Sequence, residues 1–189
     1  MADDDIEHIF LDDEEPAHTP RHQHHSDLHT ASETEAERKK VIRALLGILF
    51  TAALLTTVRG WEVQRFLADF MAVFLIAFAA FKFIHIEAFA FAYREYDPLA
   101  KRIRPWAYAV PFVEAFLGFW YLLSGAPNRL NMIALLIAGP AAYGARQALH
   151  HKSAARHTSL GGVFGWPLLK LTFYEHVMVC ALAAVQLFL

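Results

Sequence analysis

Five ionisable side chains stand inside long apolar runs of this chain: Lys82 and His85 in one run, Glu114 in a later one, Glu175 and the adjacent His176 in the last. Within hydrocarbon such groups are costly and normally face a partner or a cavity. A lysine and a carboxylate can neutralise each other there, so Lys82 can pair with Glu114 or with Glu175 and remove much of the cost of burying both. Lys82 and His85 are three residues apart, which puts them on one face of a helix. The set reads in two ways. One is a polar pocket for a small redox-active or ionic ligand, a quinone headgroup for example. The other is a buried ion pair that fixes helix register, with Lys82 and Glu87 stretching to the interface. Asp69, four residues after Arg65, reads as half of a surface pair. Cys180, the one cysteine, sits among Ala, Val and Leu; it reads as a packing residue, because apolar surroundings suppress the thiolate.

Histidines form a second group of candidates. Six lie in the first 37 residues, among them His22, His24, His25 and His29. Neutral imidazole suits Zn, Cu or Ni, but the spacing fits no coordination motif, so a solvated tail is the plainer reading. His150, His151 and His157 fall close together in a later loop and are weak metal candidates. A single cysteine excludes a disulfide scaffold and a thiolate zinc site.

The elements that must position these groups follow from charge and hydropathy. Of 19 acidic residues, 12 lie in the first 37 positions, and only seven serve the rest. Residues 1–37 are acidic, His-rich and short of aromatics. Such a segment cannot bury enough apolar area to offset the entropy of ordering, and the expectation is a disordered tail. It has no apolar h-region, so it is no signal peptide. From Arg38 onward five apolar runs follow: Val41–Val58, Phe66–Ile86, Trp106–Leu123, Leu130–Ala145 and Leu168–Leu189. A helix needs ~20 residues to cross ~30 Å of hydrocarbon. The runs do not alternate, which argues against barrel strands. Gly139-Pro140 predicts a kink in the fourth, and Asp97-Pro98 should end one helix and cap the next. The fold class expected is all-α: a polytopic transmembrane bundle of four core helices plus one N-terminal helix. Residues 38–65 form the extra helix and 66–189 the core domain. A nucleic-acid binder is excluded, since no basic face survives this balance.

Loop charges set the orientation. Eleven basic residues (Arg38, Lys39, Lys40, Arg43, Arg94, Lys101, Arg102, Arg104, Arg146, Lys152 and Arg156) fall on one side, against Arg59, Arg65 and Arg129 on the other. The basic side should face the cytoplasm of a cell inner membrane, with the N-terminus inside and the C-terminus outside. Trp61, Trp106 and Tyr108 sit where an interfacial belt would be. At 1.5 Å per residue, Glu114 lies ~12 Å and Glu175 ~10 Å into the inner leaflet, level with Lys82.

The segment from Phe70 through Leu123 resembles the first half of the MauE/DoxX-like membrane family. Lys82, the elbow Tyr96-Asp97 with Ala100-Lys101-Arg102, and Pro111 with Glu114 match the family's pattern. Leu160, Gly161, Val163, Phe164, Pro167, Thr172 and Glu175 resemble its last loop and helix. The resemblance covers about 66–189. Many members carry a C-x-C before the Leu-Gly; here that position holds His157-Thr158-Ser159. A dithiol accepts electrons by exchange, whereas His157 and Ser159 cannot. The resemblance therefore implies an accessory or scaffold in a redox or methylamine-dehydrogenase-type maturation system, without thiol chemistry or turnover of its own. It implies the bilayer and a thioredoxin-like or dehydrogenase partner. The alternatives are a quinone- or ion-handling protein using the Lys/Glu cluster, or a metal-transport accessory using the histidines.

Overall fold

The apolar runs are helices. The computed structural model describes residues 21–125, 128–150 and 168–189; of 21–34, 37 and 168 only the backbone is described. In chain order the elements are α1 (Arg21–Arg59), α2 (Val63–Ile84), α3 (Ile86–Tyr96), α4 (Pro98–Arg102), α5 (Arg104–Ser124), α6 (Asn128–His150) and α7 (Leu168–Phe188). Among the described residues there is no strand. The expected tail thus divides: 1–20 lie outside the described residues, and 21–37 are taken into α1.

Local chemistry sets several boundaries. Gly60, at φ +100°, sits between α1 and α2 in a region that side chains with a Cβ rarely enter. Asp97 ends α3 and caps α4, its Oδ1 accepting from the backbone N–H of Leu99 at 3.0 Å and of Ala100 at 2.7 Å. Pro98 follows at the first helical position, where its missing N–H costs nothing. α6 continues through Gly139 and Pro140 as one helix.

α2 packs closely on α5, and α6 on α7. Gly118 permits the first: a Cβ there would stand 2.7 Å from Ile76 Cγ1 and 2.9 Å from the Ala72 carbonyl oxygen. On α2, Phe66, Phe70, Phe74 and Phe78 recur every fourth residue and stack along one stripe, with centroids 6.4, 6.0 and 4.5 Å apart. The α3–α4 elbow presses on α6 at Gly144, where a Cβ would meet the Tyr96 carbonyl oxygen at 2.5 Å.

The outer surface is apolar. Phe50, Leu123, Leu136 and Phe188 all stand exposed, and a soluble domain seldom presents such faces to water. Four helical stretches are long and apolar enough to cross a membrane: Arg38–Arg59, Val63–Ile84, Arg104–Ser124 and Leu169–Phe188. The chain is a multi-pass membrane protein. The fourth expected span does not join these four. α6 has the length, 23 residues, but Asn128, Arg129, Asn131, Arg146 and Gln147 reduce its apolar character. It packs along α7.

Candidate functional site

Three helices bring charge to one buried point. Lys82 stands in the last turn of α2, Glu114 lies three residues beyond Pro111 in α5, and Glu175 lies in the second turn of α7. The Lys82 Nζ donates to both carboxylate oxygens of Glu114, at 2.5 and 2.6 Å, and to Glu175 Oε1 at 2.6 Å. An ammonium has three N–H donors, so these contacts use all of them. Lys82 is fully buried, and the two glutamates nearly so. Lys82 therefore pairs with both carboxylates at once, and it does not stretch to the interface as one sequence reading allowed. The Phe89 ring of α3 covers the ammonium from 5.3 Å, a distance at which a cation gains from the ring face.

The second oxygen of Glu175, Oε2, is buried and has no hydrogen-bond partner. With the three groups ionised, the formal count is one positive charge against two negative. A buried acceptor left unserved costs roughly 1–3 kcal/mol, more when charged. The site is thus closed around Lys82 and open at one oxygen of Glu175.

His176 lies at the margin. Its Nδ1 is 2.8 Å from the Thr172 carbonyl oxygen; because a carbonyl only accepts, Nδ1 carries the proton in that contact. Nε2 is 3.8 Å from Glu114 Oε1, too far for a hydrogen bond. Thr172 also accepts from the Tyr96 hydroxyl at 3.2 Å, which ties the elbow to the turn of α7 that precedes Glu175. Tyr93 donates to Asp97 Oδ2 at 3.2 Å. Burial pushes both phenols above their ordinary pKa, keeping them as neutral donors.

His85 is not part of the cluster. Its backbone, at φ −135° and ψ 56°, breaks the helix between α2 and α3, so the three-residue spacing from Lys82 no longer sets a common face. The side chain is exposed, as is that of Glu87. His150 ends α6 and is exposed. His151, His157 and Ser159 lie outside the described residues, as do the side chains of His22, His24, His25 and His29. Among the described residues no group of three His, Cys, Asp or Glu is placed to hold a metal ion. Cys180 is half-buried in α7.

A second buried ion pair escaped the sequence reading. Asp69, expected to form a surface pair with Arg65, is buried and pairs with α1 instead. Arg59 Nη1 donates to Asp69 Oδ1 at 2.9 Å and the Thr56 hydroxyl to Oδ2 at 2.9 Å. Arg59 Nη1 also donates to the Leu122 carbonyl oxygen of α5 at 2.8 Å. The physical reason is the turn at Gly60, which lays the end of α1 against the start of α2. A buried carboxylate in an apolar helix near two arginines was the available signal; which arginine it takes depends on that turn. Tyr121 donating to Asn131 Oδ1 at 2.6 Å, a link between α5 and α6, carried no sequence signal.

A family model described as methylamine utilisation protein MauE matches residues 62–189. The match takes in Lys82, Glu114 and Glu175 and begins after α1. No curated protein and no solved structure matches the chain.

Proposed function

The chain belongs to the MauE family, and on that premise we propose that it serves as an accessory or scaffold in the maturation of a redox enzyme of the methylamine-dehydrogenase type. The observation that carries this reading is the Lys82–Glu114–Glu175 cluster. It fastens three helices of the matched region, and every donor of Lys82 is consumed in doing so. That suits a rigid frame better than a group that must change partners. One cysteine in the chain leaves no second thiol for an intramolecular disulfide, so thiol exchange would come from a thioredoxin-like or dehydrogenase partner. The bias of basic residues supports an inner-membrane setting, with the Arg38 end of α1 and the α3–α4 elbow in the cytoplasm. The test is purification of the tagged full chain in mild detergent from cells expressing the neighbouring redox proteins. A stoichiometric thioredoxin-like or dehydrogenase partner is expected; a chain that always runs alone, with and without cross-linker, overturns the reading.

A second reading, a quinone- or ion-handling protein, draws on one observation: the unserved Glu175 Oε2 and the charge count around it. A proton, a cation or a ligand donor arriving there would complete the site. Vesicles holding the full chain should then show proton or cation uptake or quinone binding that Glu175→Gln removes. An unchanged Glu175→Gln protein rejects it.

A further inference from the structure

At the end of the bundle away from the Lys82 cluster, an open cavity of about 550 Å³ lies between the end of α1, the start of α2 and the end of α5. Arg59, Arg65, Asp69, Leu122, Leu123 and Ser124 line it. Its size falls within the range of small-molecule sites. Arg59 and Ser124 are the last residues of two membrane-spanning stretches, and a third begins at Val63, two residues before Arg65. The cavity therefore opens where three apolar stretches end together, at the level of lipid headgroups.

Two observations meet there. The first is unspent positive charge. Arg65 is exposed and has no hydrogen bond or ion pair among the described residues. Arg59 holds Asp69 and the Leu122 carbonyl oxygen, but both bonds come from Nη1. A guanidinium has five N–H donors, so Nε and Nη2 of Arg59 are left over. The lining carries two cations and one anion, an excess of one positive charge. Guanidinium forks match the oxygens of a phosphate, often two at a time. The second observation is an apolar lip. Leu123 lines the cavity and is among the most exposed side chains of the protein. Trp61, two residues after Arg59, is also exposed and stacks on Phe66; an indole so placed suits the boundary between acyl chains and headgroups. A small anion would answer the arginines and leave Leu123 uncovered. An acyl chain alone would cover Leu123 and leave the arginines unanswered.

We propose that this cavity binds an anionic phospholipid, its phosphate held by Arg59 and Arg65 and an acyl chain lying along Leu123. A single negative charge on the lipid balances the lining. A zwitterionic lipid suits it less well, because its ammonium would meet only Asp69, which Arg59 already neutralises. Arg59 lies outside the family match and Arg65 inside it, so the site depends on the helix this chain adds to the family core.

The test uses the delipidated full chain in mild detergent, titrated with phosphatidylglycerol or phosphatidylcholine and followed by native mass spectrometry. One phosphatidylglycerol should be retained per chain, about tenfold more tightly than phosphatidylcholine, the factor that one charge-assisted hydrogen bond supplies. Arg65→Gln should remove that preference and leave the lipid-free unfolding temperature unchanged, because Arg65 supports no other group. Arg129→Gln, at an exposed arginine outside the cavity, should leave the preference intact. Glycerol phosphate at the concentration of the lipid should not displace it. Equal retention of the two lipids, a preference that survives Arg65→Gln, or one that Arg129→Gln weakens as much, overturns the proposal. Displacement by glycerol phosphate overturns it too, since the cavity would then take a free anion without using its apolar lip.

Discussion

At one end of α2, Asp69 meets Arg59 and Thr56 of α1; near the other, Lys82 meets Glu114 of α5 and Glu175 of α7. Both place a carboxylate out of contact with water, yet the two are built differently. Asp69 has Arg59 at one oxygen and, at the other, the Thr56 hydroxyl, which also lies 2.9 Å from the Ala52 carbonyl oxygen, and the pair balances one charge against one. Arg59 remains 34% exposed, so its charge keeps part of its hydration. The inner cluster is sealed, with Lys82 at 0% exposure, and carries two carboxylates to one cation. One joint attaches a helix from outside the matched region; the other lies wholly within 62–189. A peripheral helix is fastened by a pair that is satisfied and near solvent, whereas the core retains an arrangement with an acceptor to spare. The second costs more to bury, because one of its acceptors goes without a donor.

Lys82→Met tests that contrast most severely. It leaves Glu114 and Glu175 facing one another with no cation between them, and breaking a buried pair in this way costs roughly 3–5 kcal/mol. Thermal unfolding in detergent should show a large fall in stability or loss of the folded protein; a shift no greater than that of Asp69→Asn would erase the distinction between the two sites.

Within the inner cluster, the two carboxylates should be unequal. Both oxygens of Glu114 accept from Lys82, so Glu114→Gln turns an NH₂ toward the ammonium and should cost about 1–3 kcal/mol. Glu175→Gln keeps its one oxygen on Lys82 and should cost less. Chemical denaturation of the two variants side by side checks this, and equal losses would contradict the asymmetric geometry.

Asp69→Asn should cost about 1–2 kcal/mol, because Arg59 keeps the Leu122 carbonyl as acceptor. The change should also free α1 from the core, seen as faster proteolysis near Gly60, while the inner cluster stays intact. Thr56→Val is the mildest test: interhelical hydrogen bonds in membranes average ~0.6 kcal/mol, and a loss of that order in denaturation midpoint is expected. A loss as large as that of Asp69→Asn would mean that the hydroxyl, and not the charge, holds the joint.

Much of this was legible in the chain because the background is so apolar. Lys82, Glu114 and Glu175 stand out among Phe, Ala, Val and Leu, and residue depth follows from a constant rise per residue. The elbow cap at Asp97 was legible for a similar reason: an Asp-Pro after a helical run has few other uses. His85 misled, because a spacing argument holds only while the helix continues, and α2 ends one residue before it. Asp69 misled too. Its near neighbour Arg65 follows from sequence, but its partner Arg59 lies ten residues back across a turn, where spacing on a helix says nothing.

The sequence alone determined that apolar helices of spanning length form, where they begin and end to within about five residues apart from the start of α1 at Arg21, and which charges cannot escape into water. These are local consequences of side-chain hydrophobicity and of a backbone that must satisfy its own hydrogen bonds in lipid. The tertiary structure alone decided that Lys82 spends every donor on two carboxylates, that one oxygen of Glu175 is left over, and that α1 walls a groove with α2 and α7. Those outcomes depend on distances of a few tenths of an ångström between helices far apart in the chain, set by close approaches such as that at Gly118, and no periodicity along one helix encodes the height and rotation of its neighbour.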